Sequence, residues 1–243
     1  MHHLVMERWS RGASSFHRVD PRAKTVALLV FLAALATAHR ALPQLAGALA
    51  LLLCGSLLWA RIPVWPALAR AALVLPFAAA FAAACWISGD PARGAALALK
   101  SYVSALAVLT VVATTPLPAL LRGLELMRAP LFLLTVAQFL YRYLFVISEE
   151  AQHMVKAAAA RGASVGGLAS SGTRFRAAAG ALAVLFARSY GRAEEVHRAM
   201  LARGFTGRWQ PMTALRFRLA DGAFLFLAGA APVAIRLVLQ RTA

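Results

Sequence analysis

Carboxylates are scarce in this chain: 9 Asp and Glu stand against 26 Lys and Arg in 243 residues, for a formal net charge of +17. Lysine is itself rare, limited to Lys24, Lys100 and Lys156, and none of the three follows a glycine. A phosphate-binding loop places its lysine directly after the glycine-rich turn, so the chain is not expected to bind ATP in that way. The two cysteines, Cys54 and Cys85, each lie in an apolar run and offer neither a disulfide framework nor metal-knuckle spacing. Both read as small core hydrophobes. Paired acids are missing from the apolar stretches, and no His-Glu-x-x-His helix or nucleophile elbow occurs. These gaps exclude the common hydrolytic chemistries and predict a non-catalytic protein.

What the chain has in excess is apolar surface. Hydrophobic residues make up 61% of it with glycine uncounted, where an ordinary soluble domain reaches roughly 45–50% with glycine included. This argues against a soluble globular domain, and disorder and a collagen-like chain are excluded. The apolar residues fall into blocks at residues 25–38, 45–60, 67–87, 94–113 and 222–239, parted by turns at Pro43, Pro63, Pro66, Pro91 and Pro116. Each block can cross a bilayer, the first only if Lys24 and His39-Arg40 snorkel or extend it. Asp20-Pro21 opens that first helix, the carboxylate accepting from free amides and Pro losing no needed donor.

The segment before Thr25 carries Arg8, Arg11, Arg18, Arg22 and Lys24 against Glu7 and Asp20. It lacks an apolar core and a small-residue cleavage site, so it reads as a cytoplasmic segment and not as a signal peptide. The positive-inside rule agrees, since the loop with Arg61 and Arg70 is more basic than the one with Asp90 and Arg93. Two further runs, 131–147 and 177–186, are broken or flanked by Arg142, Arg174, Arg176 and Arg188. Residues 116–221 hold 14 Lys and Arg against 6 Asp and Glu, a net of +8. Translocating them would oppose the charge rule, so both runs read as helices at or just under the membrane. The fold class is thus all-α and polytopic, with about five transmembrane helices, or six to seven if those runs cross.

Within residues 116–221, Leu120, Leu124 and Met127 share one face of a short helix, opposite Arg122, Glu125 and Arg128. Two longer helices then end alike, at Ala160-Arg161-Gly162 and Ala202-Arg203-Gly204, with a Gly/Ser-rich linker over 164–173 between them. One reading of Arg-Gly is helix punctuation: Gly accepts the left-handed conformation past the end, and Arg suits the negative end of the dipole. The other is that each Arg projects a cationic fork into an acidic socket on a dimeric partner. Part of the basic face also contacts anionic lipid. Nucleic acid is not an expected partner, because the arginines come with no aromatic stacking platform.

The run from Leu185 to Gly207, with its Arg188-Ser189-x-x-Arg192-Ala193-Glu194 core and Ala199-Met200-x-x-Arg203-Gly204-Phe205-x-Gly207, resembles the coupling segment of the transmembrane (T) component of energy-coupling factor importers. Phe16 to Lys24 with Asp20-Pro21-Arg22, Thr114-Thr115-Pro116, and Tyr141-Arg142-Tyr143-Leu144-Phe145 ahead of Glu149-Glu150 resemble the same family in the same order. The Tyr-Arg-Tyr and Arg-Ser-Tyr elements look most like its cobalt or nickel branch, the CbiQ type. The resemblance implies a T subunit of a cobalt or nickel importer in a bacterial inner membrane. It implies two cytoplasmic ATP-binding subunits that hydrolyse ATP and a separate membrane subunit that captures the metal, with no cofactor on this chain. Its implied docking residues are Ala160, Arg161, Gly162, Ala199, Met200, Arg203 and Gly204. The uncharged run at residues 157–160 departs from the basic residues expected before the first Arg-Gly. Domains then follow as a cytoplasmic segment (1–24), a four-helix membrane region (25–115), a coupling-helix domain (116–221) and a last span with its tail (222–243).

Metal ligands are not evident in the sequence. His2 and His3 with a terminal amine form a conceivable chelate, but a cytoplasmic terminus or an expression remnant explains them more simply. His17, His39, His153 and His197 are scattered, with His153 and His197 read as surface positions. Two other functions remain: the T component of a vitamin importer, for biotin as an example, and a polytopic enzyme acting on a lipid or prenyl substrate. The enzyme is disfavoured because the spans offer Arg70, Lys100 and Arg236 but no carboxylate, and these three read as snorkelling cations.

Overall fold

The structure, a computed structural model, describes residues 9–10, 12, 14–38, 42–161, 171–207 and 217–242. His2, His3, His39, Arg40, Gly162 and most of the 164–173 linker lie outside the described residues. Helices appear in the order α1 (Pro21–Ala36), α2 (Leu42–Trp59), α3 (Val64–Ala71), α4 (Leu75–Ile87), α5 (Pro91–Thr114), α6 (Leu117–Leu126), α7 (Leu131–Ala160), α8 (Ser171–Ala202) and α9 (Leu219–Thr242), and no strand occurs among the described residues. The chain forms two compact units. One comprises residues 1–127 and 214–243, and the other residues 128–213.

Among the described residues, five helical stretches are long and apolar enough to cross a membrane: Leu42–Trp59, Val64–Ile87, Pro91–Thr114, Leu131–Ala160 and Leu219–Val238. Five is the number expected, but its membership changes. Helix α1 stops after 16 residues, roughly 24 Å against a hydrocarbon core of about 30 Å. Helix α7 continues for 30 residues, and Arg142 is the one charge in its apolar first half. The Val64–Ile87 span joins α3 to α4 through a 3-10 turn at Ala72–Val74, placed where Pro76 lacks the amide needed to continue an α-helical ladder.

Local chemistry sets the helix starts. Asp20 accepts from the Arg22 amide at 2.9 Å and Asp90 from the Arg93 amide at 3.0 Å, each followed by Pro in the first turn. In the first unit, Leu45, Leu49, Leu53 and Leu57 recur every fourth residue of α2 and are all buried. They meet Phe31 and Leu35 of α1 and Val103, Leu106 and Ala107 of α5 in one core. Helices α4 and α5 approach closely at Gly94, where a Cβ would come within 2.8 Å of the Ala82 carbonyl oxygen. Helix α6 is turned from its expected face, with Leu121 and Gly123 buried. Gly123 allows contact with Pro21, which a Cβ there would meet at 3.0 Å.

The short helix α1 ends within reach of two cations. Lys100 of α5 donates to the carbonyls of Ala36 and Ala38 at 2.9 and 2.7 Å, and Arg236 of α9 donates to the Thr37 carbonyl at 3.1 Å. These residues cap a helix terminus, whose last carbonyls have no intrahelical partner. Arg70 lies over the Trp9 ring at 4.2 Å.

Past Trp59 the chain closes α2 with Arg61 donating to Leu58 at 2.9 Å and Ile62 to Leu57 at 3.0 Å. Arg61 adopts φ 58°, a left-handed position that glycine normally fills and that costs a side-chain-bearing residue about 1–2 kcal/mol. Nearby, Trp9, Gly12, Ser14 and His17 form a compact turn. The His17 Nε2–H donates to the Trp9 carbonyl at 2.9 Å while Nδ1 accepts from the Ser14 hydroxyl at 2.7 Å. Burial lowers the imidazole pKa, consistent with this neutral form.

Candidate functional site

In the unit of residues 128–213, α7 and α8 carry the residues singled out by sequence. Both are mostly exposed: Leu134 is the buried residue of α7, and none is buried among the described side chains of α8. Glu150 and Arg188 form an ion pair that ties the two helices together. Beside it lies a cavity of about 510 Å³ with apolar walls that include Leu140, Tyr143, Ile147, Leu185, Val196 and Met200. Tyr141-Arg142-Tyr143 is ordered by neighbours one turn away: Tyr141 packs edge-on to Phe145 at 5.3 Å, and Phe139 stacks with Tyr143 at 6.2 Å.

The two helices close on main-chain amides. Helix α7 terminates at Ala160, and the Arg161 amide donates back to Ala157 and Ala158 at 3.2 and 3.1 Å. Helix α8 terminates at Ala202, and the Arg203 amide donates to Ala199 and Met200 at 3.2 and 3.1 Å. Gly204 then takes φ 74°, and the Phe205 amide donates to Met200 at 3.0 Å. That five-residue closure with a left-handed glycine is a Schellman turn. It folds Phe205 back beside Met200, and both line the cavity.

The punctuation reading of Arg-Gly therefore holds for the backbone of the second site. It does not use up the arginine, because capping is done by main-chain amides. Ala160, Arg161, Ala199, Arg203 and Gly204 are exposed and Met200 is half-buried. Arg161 and Arg203 have no ion-pair partner among the described residues. A guanidinium at an exposed helix end keeps its five donors for an incoming carboxylate. His153 and His197 are exposed, as expected, and no group of three His, Cys, Asp or Glu side chains suited to a metal occurs among the described residues.

Gly204→Ala tests how much the turn contributes. Nothing lies within 4 Å of where the Cβ would stand, so the effect is purely conformational, about 1 kcal/mol. Hydrogen exchange is expected to rise in the last turn of α8 and to stay unchanged in α7.

A second constellation, in the larger unit, was only half visible to sequence reasoning. Lys24 is buried to 1% exposure and does not snorkel. Its ammonium donates to the Thr114 carbonyl at 2.9 Å and to the Thr115 hydroxyl at 3.1 Å, and it lies 5.3 Å from the Phe16 ring centre. Buried Asp221 accepts from the amides of Asp20 at 2.9 Å and Arg218 at 2.8 Å. Phe16 packs edge-on to Phe224 at 5.3 Å. The motifs at residues 16–24 and 114–116 thus meet one another, and the head of the last helix joins them. The sequence signal for Asp221 was its being the lone carboxylate beside the final span.

A family model described as cobalt transport protein (CbiQ) matches residues 12–214. The chain is 31% identical over 123 residues to the cobalt transport protein CbiQ of Rhodobacter capsulatus, covering 51% of this chain and 49% of that relative. The match thus spans about half of that relative's length. It is 28% identical over 239 residues to the energy-coupling factor transporter transmembrane protein EcfT of Bacillus selenitireducens, covering 84% of each.

Proposed function

The chain belongs to the CbiQ family of cobalt transport proteins, and from that membership we propose that it is the transmembrane T subunit of an energy-coupling factor importer for cobalt or nickel. The subunit is non-catalytic and binds no cofactor. Two cytoplasmic ATP-binding partners hydrolyse ATP, and a separate membrane partner captures the metal. The protein sits in a bacterial inner membrane with its amino terminus in the cytoplasm, as the basic residues before Thr25 favour.

The observation that carries this reading is the pair of exposed helices α7 and α8, tied at Glu150–Arg188 and each ending at an exposed arginine. At 1.5 Å per residue, Arg161 stands roughly 16 Å beyond Glu150 and Arg203 roughly 22 Å beyond Arg188. Stiff arms of that length suit the transmission of motion from the ATPase pair. Arg161 with Ala160 and Gly162, and Arg203 with Ala199, Met200 and Gly204, are the docking points, each Arg pairing with a carboxylate on one ATPase. The observed last span starts at Leu219 and so takes in Asp221, contrary to the expectation of spans without a carboxylate, but two backbone amides occupy it, which disfavours an enzymatic role for it.

A second reading keeps the role and changes the cargo to a vitamin such as biotin. The relative named EcfT aligns over more of both chains than the cobalt relative, and its name ties the family to energy-coupling factor transport without naming a metal. The test is ATP-driven uptake into liposomes that hold the complete complex. Saturable uptake of labelled cobalt or nickel is expected. Uptake of a vitamin and of neither metal would overturn the cargo, and a complex that imports its cargo without this chain would overturn the role.

A further inference from the structure

Three features of the larger unit converge at one end of α2, near the turn that closes it. A cleft of about 470 Å³ opens there, lined by Trp9, Ser14, His17, Arg18, Trp59 and Arg61 among others. Among the described residues no carboxylate lines it, and neither Arg18 nor Arg61 has an ion-pair partner. Two cations facing a polar cleft with no counter-charge among the described residues call for an anion.

The second feature is the backbone of Arg61. Its φ of 58° is a conformation suited to glycine, so an arginine here is retained against backbone preference. Strain of this kind points to a use for the side chain.

The third feature identifies the source of the anion. Trp59 is 63% exposed and Trp65 80% exposed, bracketing the turn as amphipathic rings do at headgroup depth. From Trp59 an uncovered stripe runs along α2 through Leu58, Gly55 and Leu51 at helical spacing. Leu51 is 74% exposed, and the space beside Gly55 is open. A polar pocket continued by an apolar furrow into the span has the shape of a phospholipid, with its phosphate at the guanidinium groups and an acyl chain along the helix.

We propose that the Arg18–Arg61 cleft, with the Leu51–Gly55–Leu58 furrow, is a binding site for one anionic phospholipid. The proposal rests on the larger unit lying in a membrane and does not depend on transport or cargo. Its test therefore reads no uptake.

The purified full chain in neutral detergent is titrated with phosphatidylglycerol, phosphatidylcholine or inorganic phosphate. Thermal midpoint and retained lipid by native mass spectrometry are recorded. One tightly retained phosphatidylglycerol and a raised midpoint are expected, with neither from the other two additives. Arg61→Gly relieves the strained backbone, so its lipid-free midpoint is expected to equal or exceed that of the wild type while its affinity for phosphatidylglycerol falls at least tenfold. Arg18→Gln loses affinity to a similar extent. Equal responses to phosphatidylcholine would overturn the anionic assignment, and an equal response to inorganic phosphate would overturn the lipid. Unchanged lipid binding in both variants would overturn the site. A lowered Arg61→Gly midpoint with unchanged lipid retention would assign Arg61 a purely structural role and overturn its place in the site.

Discussion

Arg203→Glu is expected to reduce recovery of the ATPase pair with this chain roughly a hundredfold and to end ATP-driven uptake. The size follows from what a charge reversal does at an interface. Losing one member of a desolvated Arg–carboxylate pair costs about 2–5 kcal/mol, and each 1.4 kcal/mol is tenfold in affinity. Stability is expected to hold, because the Arg203 side chain is exposed and the cap of α8 is made by main-chain amides. Arg198, one turn earlier, supplies the control. Its pairing with Glu194 at 3.5 Å is an exposed i,i+4 contact, so Arg198→Ala is expected to change stability by less than about 1 kcal/mol and to leave assembly intact. Arg161→Glu is expected to behave like Arg203→Glu. Wild-type assembly and uptake in both reversals would refute docking at these helix ends.

Asp221→Ala is expected to be the most destabilising single change in the larger unit. It strands the buried amides of Asp20 and Arg218 and removes a negative charge that acts on the buried Lys24 ammonium. Breaking a buried ionic arrangement from one side costs about 3–5 kcal/mol, which thermal unfolding in detergent reads as a lowered midpoint. The charge contribution can be isolated. Asp221→Asn retains an acceptor for the amides but leaves Lys24 uncompensated, and Lys24→Met removes the ammonium. The double variant is expected to be more stable than the sum of the two single losses predicts, since neighbours in one network are not additive. Strict additivity would show that Lys24 and Asp221 do not sense each other.

Helix boundaries were legible where the chemistry is local. Asp20-Pro21 and Asp90-Pro91 start helices because a carboxylate and a proline suffice to organise a first turn. The Arg203-Gly204 end of α8 was legible for the same reason, as were the stop of α7 at Ala160 and the exposure of Arg161 and Arg203. What could not be read was any contact closing over a long stretch of chain. Lys24 finds Thr114 across 90 residues, Arg236 finds Thr37 across 199, and Asp221 finds Asp20 across 201. A hydropathy scan sees each of these three charged groups as a span-end charge and assigns it to water. The shortness of α1 was visible, but the remedy was not, because its caps come from α5 and α9. Phe205 likewise gave no periodic signal of its own, and only the left-handed Gly204 returns it to the groove beside Met200.

The clasp between the first and last helices has a topological consequence. Helix α9 packs on α1, and Asp221 pins its head to the start of α1, so the larger unit closes on itself although the chain leaves it after Met127 and returns at Ala214. The intervening unit is in effect a cassette spliced into a finished bundle. Because that closure runs through α1 and α9, replacing residues 128–213 is expected to leave the Asp20–Asp221 contact and the folding of the larger unit in place.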